Sequence, residues 1–341
     1  MKRLKIGFFP YSNSLSSPAD RRRLVSWAKN RGHELLLQQT KGVDFIFLSE
    51  GCDFLRYSKN STVPKIFDLI DGYLGLRGGR KDFARGVAKS FLGKHKTFPR
   101  TYSSIVQETC RNVDLVICSS PEQKETILPF NPNVEVILDN HAEIPDIPYR
   151  NKSGILKSKA LWEGTTHTLG GLEQLVSKAD VLPDQINIVT DLTYFKYMNR
   201  YFKLDTTSRL KGSLGRIQYD LKSWSVANLV SARNQSEFAL VPVDVNDKIQ
   251  VLKPENRLLI MFRLGIPSLT SNIPSYRRVE VALNTNFTCG SWQDWSEKIS
   301  KIENDPEFGE HQIALGKKYL SEHHNEELLF HSWDRIIQSI L

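Results

Sequence analysis

Residues 253–276, KPENRLLIMFRLGIPSLTSNIPSY, narrow the choice of fold more than any other part of the chain. The apolar run 257–264 has the length of a helix, and Leu264-Gly265-Ile266-Pro267 ends it. Glycine accepts the left-handed cap that other residues resist, and proline cannot continue a helix. A short apolar strand, 268–270, follows at once. Helix, glycine stop, strand is the return path of an α/β unit, in which helices carry the chain between parallel strands. The helix opens on Lys253, Glu255, Asn256 and Arg257. A helix start presents free N–H groups and the positive end of the dipole, so cationic and amide side chains there suit an anion such as a phosphate.

The rest of the chain repeats this grammar. Strands are expected at 4–9, 45–48, 65–70, 115–118 and 134–138, with a helix over 18–31 stopped by Gly32. Ser120 caps a further helix, with Pro121 and Glu122 in its first turn. From 139 to about 158 the pattern lapses into a linker carrying Pro145, Pro148 and a polar run. It resumes with strands at 156–162, 186–189, the end of 216–220, 238–242 and 268–270. Helices are expected at 169–179, 223–232, 257–264 and 292–302, then two more helical segments joined near 323–325. The fold class is therefore α/β, with two Rossmann-like doubly wound domains facing a cleft, at 1–150 and 151–324. A last helix at about 325–341 has the freedom to return to the first domain. In open α/β sheets ligands bind beyond the carboxyl ends of the strands, so the loops there carry the chemistry.

Composition supports an ordinary globular protein: 341 residues, 40% hydrophobic and 25% charged. The net charge of +8 favours anionic partners such as lipid head groups, nucleic acid or phosphorylated substrates. No run approaches the roughly 18 apolar residues that span a bilayer. The first apolar run stops at Pro10 and reads as a strand, not a signal peptide. Cys52, Cys110, Cys118 and Cys289 lack the paired spacing of a zinc site or a disulfide framework, so a reduced, cytoplasmic protein without structural metal is expected.

Three stretches together carry a resemblance: Asp114-Leu-Val-Ile-Cys-Ser-Ser-Pro121, Leu161-Trp-Glu-Gly164, and residues 253–276 with their Gly265-Ile266-Pro267 stop and Ser271-to-Tyr276 turn. The chain resembles glycosyltransferases of the GT-B fold, of the family-four or "glycosyl transferases group 1" type, over nearly its whole length. The resemblance implies a nucleotide-sugar donor in the C-terminal domain and an acceptor in the N-terminal one. It also implies no metal ion and no cofactor, and retention of anomeric configuration where the chain follows its relatives. In one respect the chain departs from the pattern. That group carries two glutamates separated by seven residues, and here Leu252 and Ile260 occupy those positions. Another group must take over their contacts with the donor sugar.

On this reading Lys253, Asn256 and Arg257 grip the donor diphosphate, where charge accumulates as the glycosidic bond breaks. Gly164 and Thr165, after a strand, offer close backbone approach and a hydroxyl to the same phosphates, where many relatives carry Arg and Lys. Ser271, Ser275 and Tyr276 follow a C-domain strand, where they could contact the donor. Asp68 and Asp71 close a strand of the first domain, and either carboxylate could orient or deprotonate an acceptor hydroxyl. Ser12, Asn13 and Ser14 form a polar loop after the first strand, on the acceptor side. Arg77 and Arg80 open a basic amphipathic segment, 75–100, suited to an anionic membrane or a lipid-diphosphate acceptor. His141 opens the linker and reads more readily as a structural donor. The expected activity moves a sugar from a nucleotide diphosphate to a saccharide or lipid-linked acceptor in glycan or cell-surface polysaccharide synthesis, in the cytoplasm or at the inner face of a membrane. Two alternatives use the same fold: a binding protein without turnover, and a nucleotide-sugar epimerase. No nucleic-acid recognition motif accompanies the charge, so nucleic acid is not among the expected partners.

Overall fold

The computed structural model describes residues 2–59, 62–76, 78–91, 100–150, 158–196 and 202–341. The chain divides into two compact units, each built on a six-stranded sheet. The first comprises Met1–Asn140, Lys248–Pro254 and His324–Leu341, and the second His141–Asp247 and Glu255–His323.

The first sheet contains β1 (Lys5–Phe9), β2 (Glu34–Leu37), β3 (Phe45–Ser49), β4 (Lys65–Leu69), β5 (Leu115–Cys118) and β6 (Val134–Val136). All pairs are parallel, in the order β2-β1-β3-β4-β5-β6. Side chains alternate between its faces. Ile6, Phe8, Phe45 and Phe47 enter one core, and Phe9, Ile46, Leu48 and Phe67 the other. Both faces are covered, as a parallel sheet requires. The helix Glu326–Gln338 completes one face with Phe330, Trp333, Ile336 and Ile337. Trp333 stacks on Trp27 with ring centroids 5.8 Å apart, and Asp334 accepts the Trp27 indole N–H at 2.8 Å.

The expected boundary at 150 differs from the observed partition. The first unit ends at Asn140 and takes back 248–254, because a Cβ on Gly72 would stand 2.8 Å from Leu252 Cβ and Ser120 Oγ donates to the Leu252 carbonyl at 3.0 Å. The expected helix 18–31 is two helices, Pro18–Arg21 and Leu24–Asn30. It breaks where Arg23 turns inward to an ion pair with Asp68.

The second sheet contains β7 (Lys159–Glu163) and β8 (Gln185–Thr190). A separate antiparallel pair follows, β9 (Thr193–Lys196) and β10 (Phe202–Asp205). The sheet resumes with β11 (Gln218–Ser223), β12 (Phe238–Val241), β13 (Ser268–Ser271) and β14 (Thr288–Cys289). Its order, β11-β8-β7-β12-β13-β14, is parallel throughout. Counted within the unit this is the 3-2-1-4-5-6 arrangement of a dinucleotide-binding fold. The helix Asn256–Arg263 buries Leu258, Leu259, Ile260, Met261 and Phe262. It ends at Gly265 with φ +60°, where Gly265 N–H donates to Phe262 O at 3.0 Å and Ile266 N–H to Met261 O at 3.1 Å. That pair of bonds is a Schellman cap, and it satisfies two carbonyls the helix leaves open. The polar turn expected after β13 is the start of another helix, Pro274–Leu283, with proline in its first turn.

Among the described residues no helix is long and apolar enough to cross a membrane.

Candidate functional site

Strand order reverses between β1 and β3 in the first sheet and between β7 and β12 in the second. The carboxyl ends beside these reversals are where open α/β sheets bind ligands. Each end carries a buried glutamate followed by glycine: Glu50-Gly51 after β3 and Glu163-Gly164 at the end of β7.

In the second unit Glu163 is 6% exposed. One carboxylate oxygen accepts the Trp224 indole N–H at 2.8 Å. The other is buried with no hydrogen-bond partner and lies 3.9 Å from Arg257 Nε. The Arg257 guanidinium sits 5.0 Å from the centre of the Trp162 ring, and its Nε and Nη2 are also buried without partners. Ser275 Oγ, at the start of the helix Pro274–Leu283, and Thr190 Oγ1, at the end of β8, share that condition. Buried donors and acceptors are seldom left unpaired, so several orphans at strand ends mark a place built for a polar ligand. Arg257 and Ser275 supply donors, and Glu163 supplies an acceptor. Tyr276 is fully buried beside them, and burial pushes its hydroxyl up to about 12.

The remaining donor-side candidates fall differently. Lys253 belongs to the first unit, where its ammonium stands 3.7 Å from Asp71 Oδ1. Asn256 Oδ1 meets His141 Nε2 at 3.3 Å, within the second unit. The charged cluster that looks continuous in sequence is therefore shared between two units. Gly164 is buried, with room for a Cβ denied by Thr168 Oγ1 at 2.7 Å, while Thr165 is exposed and its carbonyl accepts from Thr168 Oγ1 at 2.8 Å. Ser271 Oγ bridges the Val243 N–H at 2.8 Å and its carbonyl at 3.2 Å, so it ties β13 to the loop after β12. Glu255, the nearest carboxylate in sequence, is spent on Arg278 through contacts of 2.8 and 3.1 Å.

In the first unit the two aspartates separate cleanly. Asp68 is 1% exposed, and Arg23 takes both its oxygens at 2.6 and 2.8 Å. That geometry is a structural ion pair with no free oxygen for an acceptor. Asp71 lies beyond the end of β4, its side chain 28% exposed, and Oδ2 accepts from Tyr73 Oη at 3.1 Å. Behind it Glu50, 4% exposed, accepts the N–H groups of Ile70 and Asp71 at 3.0 and 3.1 Å and the Tyr11 hydroxyl at 3.1 Å. Burial, reinforced by the charge of Asp71, pushes Glu50 up to about 8.

Ser12 is held by Asp20, through its N–H at 3.0 Å and its hydroxyl at 3.2 Å. Asn13 and Ser14 are exposed on the same loop. Arg80 is exposed at the start of the helix Arg80–Phe91, whereas Arg77 lies outside the described residues. That helix turns Lys89 toward Tyr102, 2.8 Å from its hydroxyl, and leaves Phe83 and Phe91 exposed. Among the described residues no group of three or more His, Cys, Asp or Glu is placed to hold a metal. An open polar hollow of about 560 Å³ lies at the amino ends of β8 and β11, lined by Asp180, Asp184 and Arg216. It is at the wrong end of the sheet for a strand-end ligand site.

Glu50 and Glu163 were not among the residues singled out from the sequence. A signal for them exists: an acid followed by glycine at the end of a buried apolar strand, directly after β3 in Glu50-Gly51, as the last residue of β7 in Glu163-Gly164, and two residues past β4 in Asp71-Gly72.

No family model matches the chain, and no curated protein matches it. Solved structures do. An alpha-glucosyltransferase in complex with UDP and a 13-mer DNA containing an HMU base superposes with TM-score 0.61 at 11% identity, over 98% of this chain and 100% of that one. WaaG, a glycosyltransferase involved in lipopolysaccharide biosynthesis, gives 0.57 at 14% identity over 97% and 99%. TarM gives 0.54 at 12% identity, over 86% of this chain and 54% of that one, so the chain spans about half of TarM's length. With glycosyltransferases such as these the chain shares the two-domain, Rossmann-like GT-B fold.

Proposed function

We propose that this chain is a glycosyltransferase that takes its sugar from a nucleoside-diphosphate sugar. One observation carries the reading: the unpaired buried polar atoms of Arg257, Glu163 and Ser275 at the carboxyl ends of the second sheet. Arg257 meets the diphosphate, whose leaving group gains negative charge in the transition state. Ser275 adds a hydroxyl at the start of the helix Pro274–Leu283, where backbone N–H groups are free for an anion. The open oxygen of Glu163 accepts a hydroxyl of the same ligand. That contact offsets the absence of carboxylates at Leu252 and Ile260, the one placed against Gly72 and the other in the core of its helix. Asp71 is the carboxylate that handles the acceptor hydroxyl, with Lys253 and Tyr73 as its partners.

Calorimetry against UDP, GDP and other nucleoside diphosphates tests the donor site. Arg257→Ala is expected to remove about 1.5–3 kcal/mol of binding, the range for hydrogen bonds to charged groups. That is roughly a 10- to 150-fold weaker Kd. Binding of none of these nucleotides by the intact protein would sink the reading. Incubation with nucleotide sugars and an acceptor panel then separates enzyme from binder. The panel holds saccharides, a lipid-linked diphosphate and a hydroxymethylpyrimidine duplex, since one fold neighbour was solved with such a DNA. The net charge of +8 suits an anionic acceptor of any of these kinds. Transfer to the duplex would overturn the expectation that nucleic acid is no partner.

A further inference from the structure

Glu50 occupies the point in the first sheet where strand order reverses, and one buried carboxyl there joins three strand ends. It accepts the N–H groups of Ile70 and Asp71 at 3.0 and 3.1 Å, both just past β4. Its second oxygen meets Tyr11 Oη at 3.1 Å, just past β1. Glu50 itself follows β3. It reaches no solvent to speak of, at 4% exposure, whereas the Asp71 carboxylate it supports from behind is 28% exposed. We propose that Glu50 is the positioning residue of Asp71: it fixes the exit of β4 so that Asp71 presents its carboxylate to an acceptor hydroxyl, and its own ionisation switches that presentation off. The proposal rests on the reading of Asp71 as the acceptor-handling group.

The surroundings give the switch its direction. Asp71 faces Glu50 from the exit of β4 and Tyr11 from the exit of β1. Tyr73 and Tyr102 face it as well, and burial first, then the carboxylates of Asp71 and Glu50, raise their hydroxyls. Lys89 opposes them from the helix Arg80–Phe91, and Arg85 of that helix faces the same tyrosines. Desolvation and the neighbouring Asp71 charge outweigh Lys89, so the carboxyl sits at about 8. Near neutral pH Glu50 is a neutral acid: one oxygen accepts two N–H groups and the other faces Tyr11. Above that, a second negative charge appears directly behind Asp71, in a site with little water to screen it.

A carboxyl raised in the folded state stabilises the fold fully below its ordinary range, and that contribution is lost as pH rises through about 8. Melting temperature measured from pH 5 to pH 9.5 should therefore fall in the native protein. It should fall less in Glu50→Gln, which keeps the acceptor oxygen and cannot ionise. Sugar transfer should show an alkaline limb, with the rate at pH 9 about tenfold below the plateau for a single ionisation one unit lower. Glu50→Gln should raise the ratio of the pH 9 rate to the pH 7 rate about tenfold over the native ratio. Tyr11→Phe removes a hydrogen bond that favours the ionised form and should move the limb to higher pH. It serves as the second variant should Glu50→Gln fold poorly. Asp71→Asn separates the two ideas. A rate within about threefold of native in Asp71→Asn overturns the Asp71 reading. An Asp71-dependent rate whose alkaline limb neither variant moves overturns the role of Glu50 alone. A melting slope that Glu50→Gln leaves in place overturns it in either case.

Discussion

Asp68 and Asp71 stand three residues apart, and their surroundings give them opposite fates. Asp68 is buried and held by Arg23, which also donates to the Ile137 carbonyl at 2.7 Å and to Asp139 at 3.2 Å. Removing one partner of a buried ion pair leaves an uncompensated charge, at about 3–5 kcal/mol. Asp68→Asn should therefore lower the free energy of unfolding by several kcal/mol in a urea titration. Asp71→Asn should change it by less than about 1 kcal/mol, because its pairing with Lys253 is partly exposed. Equal losses in the two variants would remove the distinction. The sequence could not make this distinction, since both residues are acids at the end of one apolar run. Period-two alternation places Asp68 inside, yet its partner Arg23 lies 45 residues away in a stretch that reads as a surface helix. For Glu163 the sequence offers only its place before a glycine at a strand end; what marks it as a ligand group is an oxygen without a hydrogen-bond partner, a property of three-dimensional surroundings. Its neighbour Arg257 was legible, because a cation in the first turn of a helix is a local pattern.

At the scale of elements, the helix Asn256–Arg263 and its stop were readable because every determinant is local. The apolar run, Gly265 and Pro267 lie within twelve residues. Gly265 also meets a constraint from outside the motif, since a Cβ there would lie 2.2 Å from the Ile147 carbonyl oxygen. Gly265→Ala thus combines a left-handed backbone with a clash against main chain. It should destabilise the protein by more than the roughly 1 kcal/mol of the backbone term alone. Thermal melting of the variant decides this, and a loss below that figure would show that the 147–148 segment gives way easily. Other elements escaped the sequence because local signals pointed elsewhere. Ser271-Asn272-Ile273-Pro274-Ser275 has turn chemistry throughout, yet Pro274 opens a helix, where its missing N–H costs nothing. β2 is an edge strand with a half-buried ELLL pattern that gives no clean alternation. The helix Tyr102–Asn112 is capped by Thr101 and buries Tyr102, Ile105, Val106 and Cys110, a helical spacing that polar neighbours dilute.

For the whole molecule, the alternation of strands and helices was enough to give two doubly wound sheets, because each β-α step is written within about thirty residues. Long-range returns of the chain are not written that way: the sequence allowed the last helix to return to the first domain, and it gave no sign of the return of 248–254. The first unit is closed by residues 248–254, which arrive between β12 and β13 of the second sheet, and by 324–341, which arrive after that sheet is complete. The second return is the larger in energetic terms. Phe330, Trp333, Ile336 and Ile337 are all buried in one face of the first sheet, and Asp334 binds both Trp27 and Arg31. Deleting 324–341 would expose that face, and burying an aromatic or aliphatic side chain contributes about 1.5–3 kcal/mol each. Four such residues contribute about 6–12 kcal/mol, comparable to a domain's usual net stability of about 5–15 kcal/mol. The truncated chain should consequently lose amide-exchange protection across β1–β6 while β7, β8 and β11–β14 keep theirs, since the second sheet draws its core from its own helices. A uniform loss over both sheets would show that the units do not fold separately. Native protection in β1–β6 would show that the terminal helix is dispensable, and with it the account of how the first unit closes.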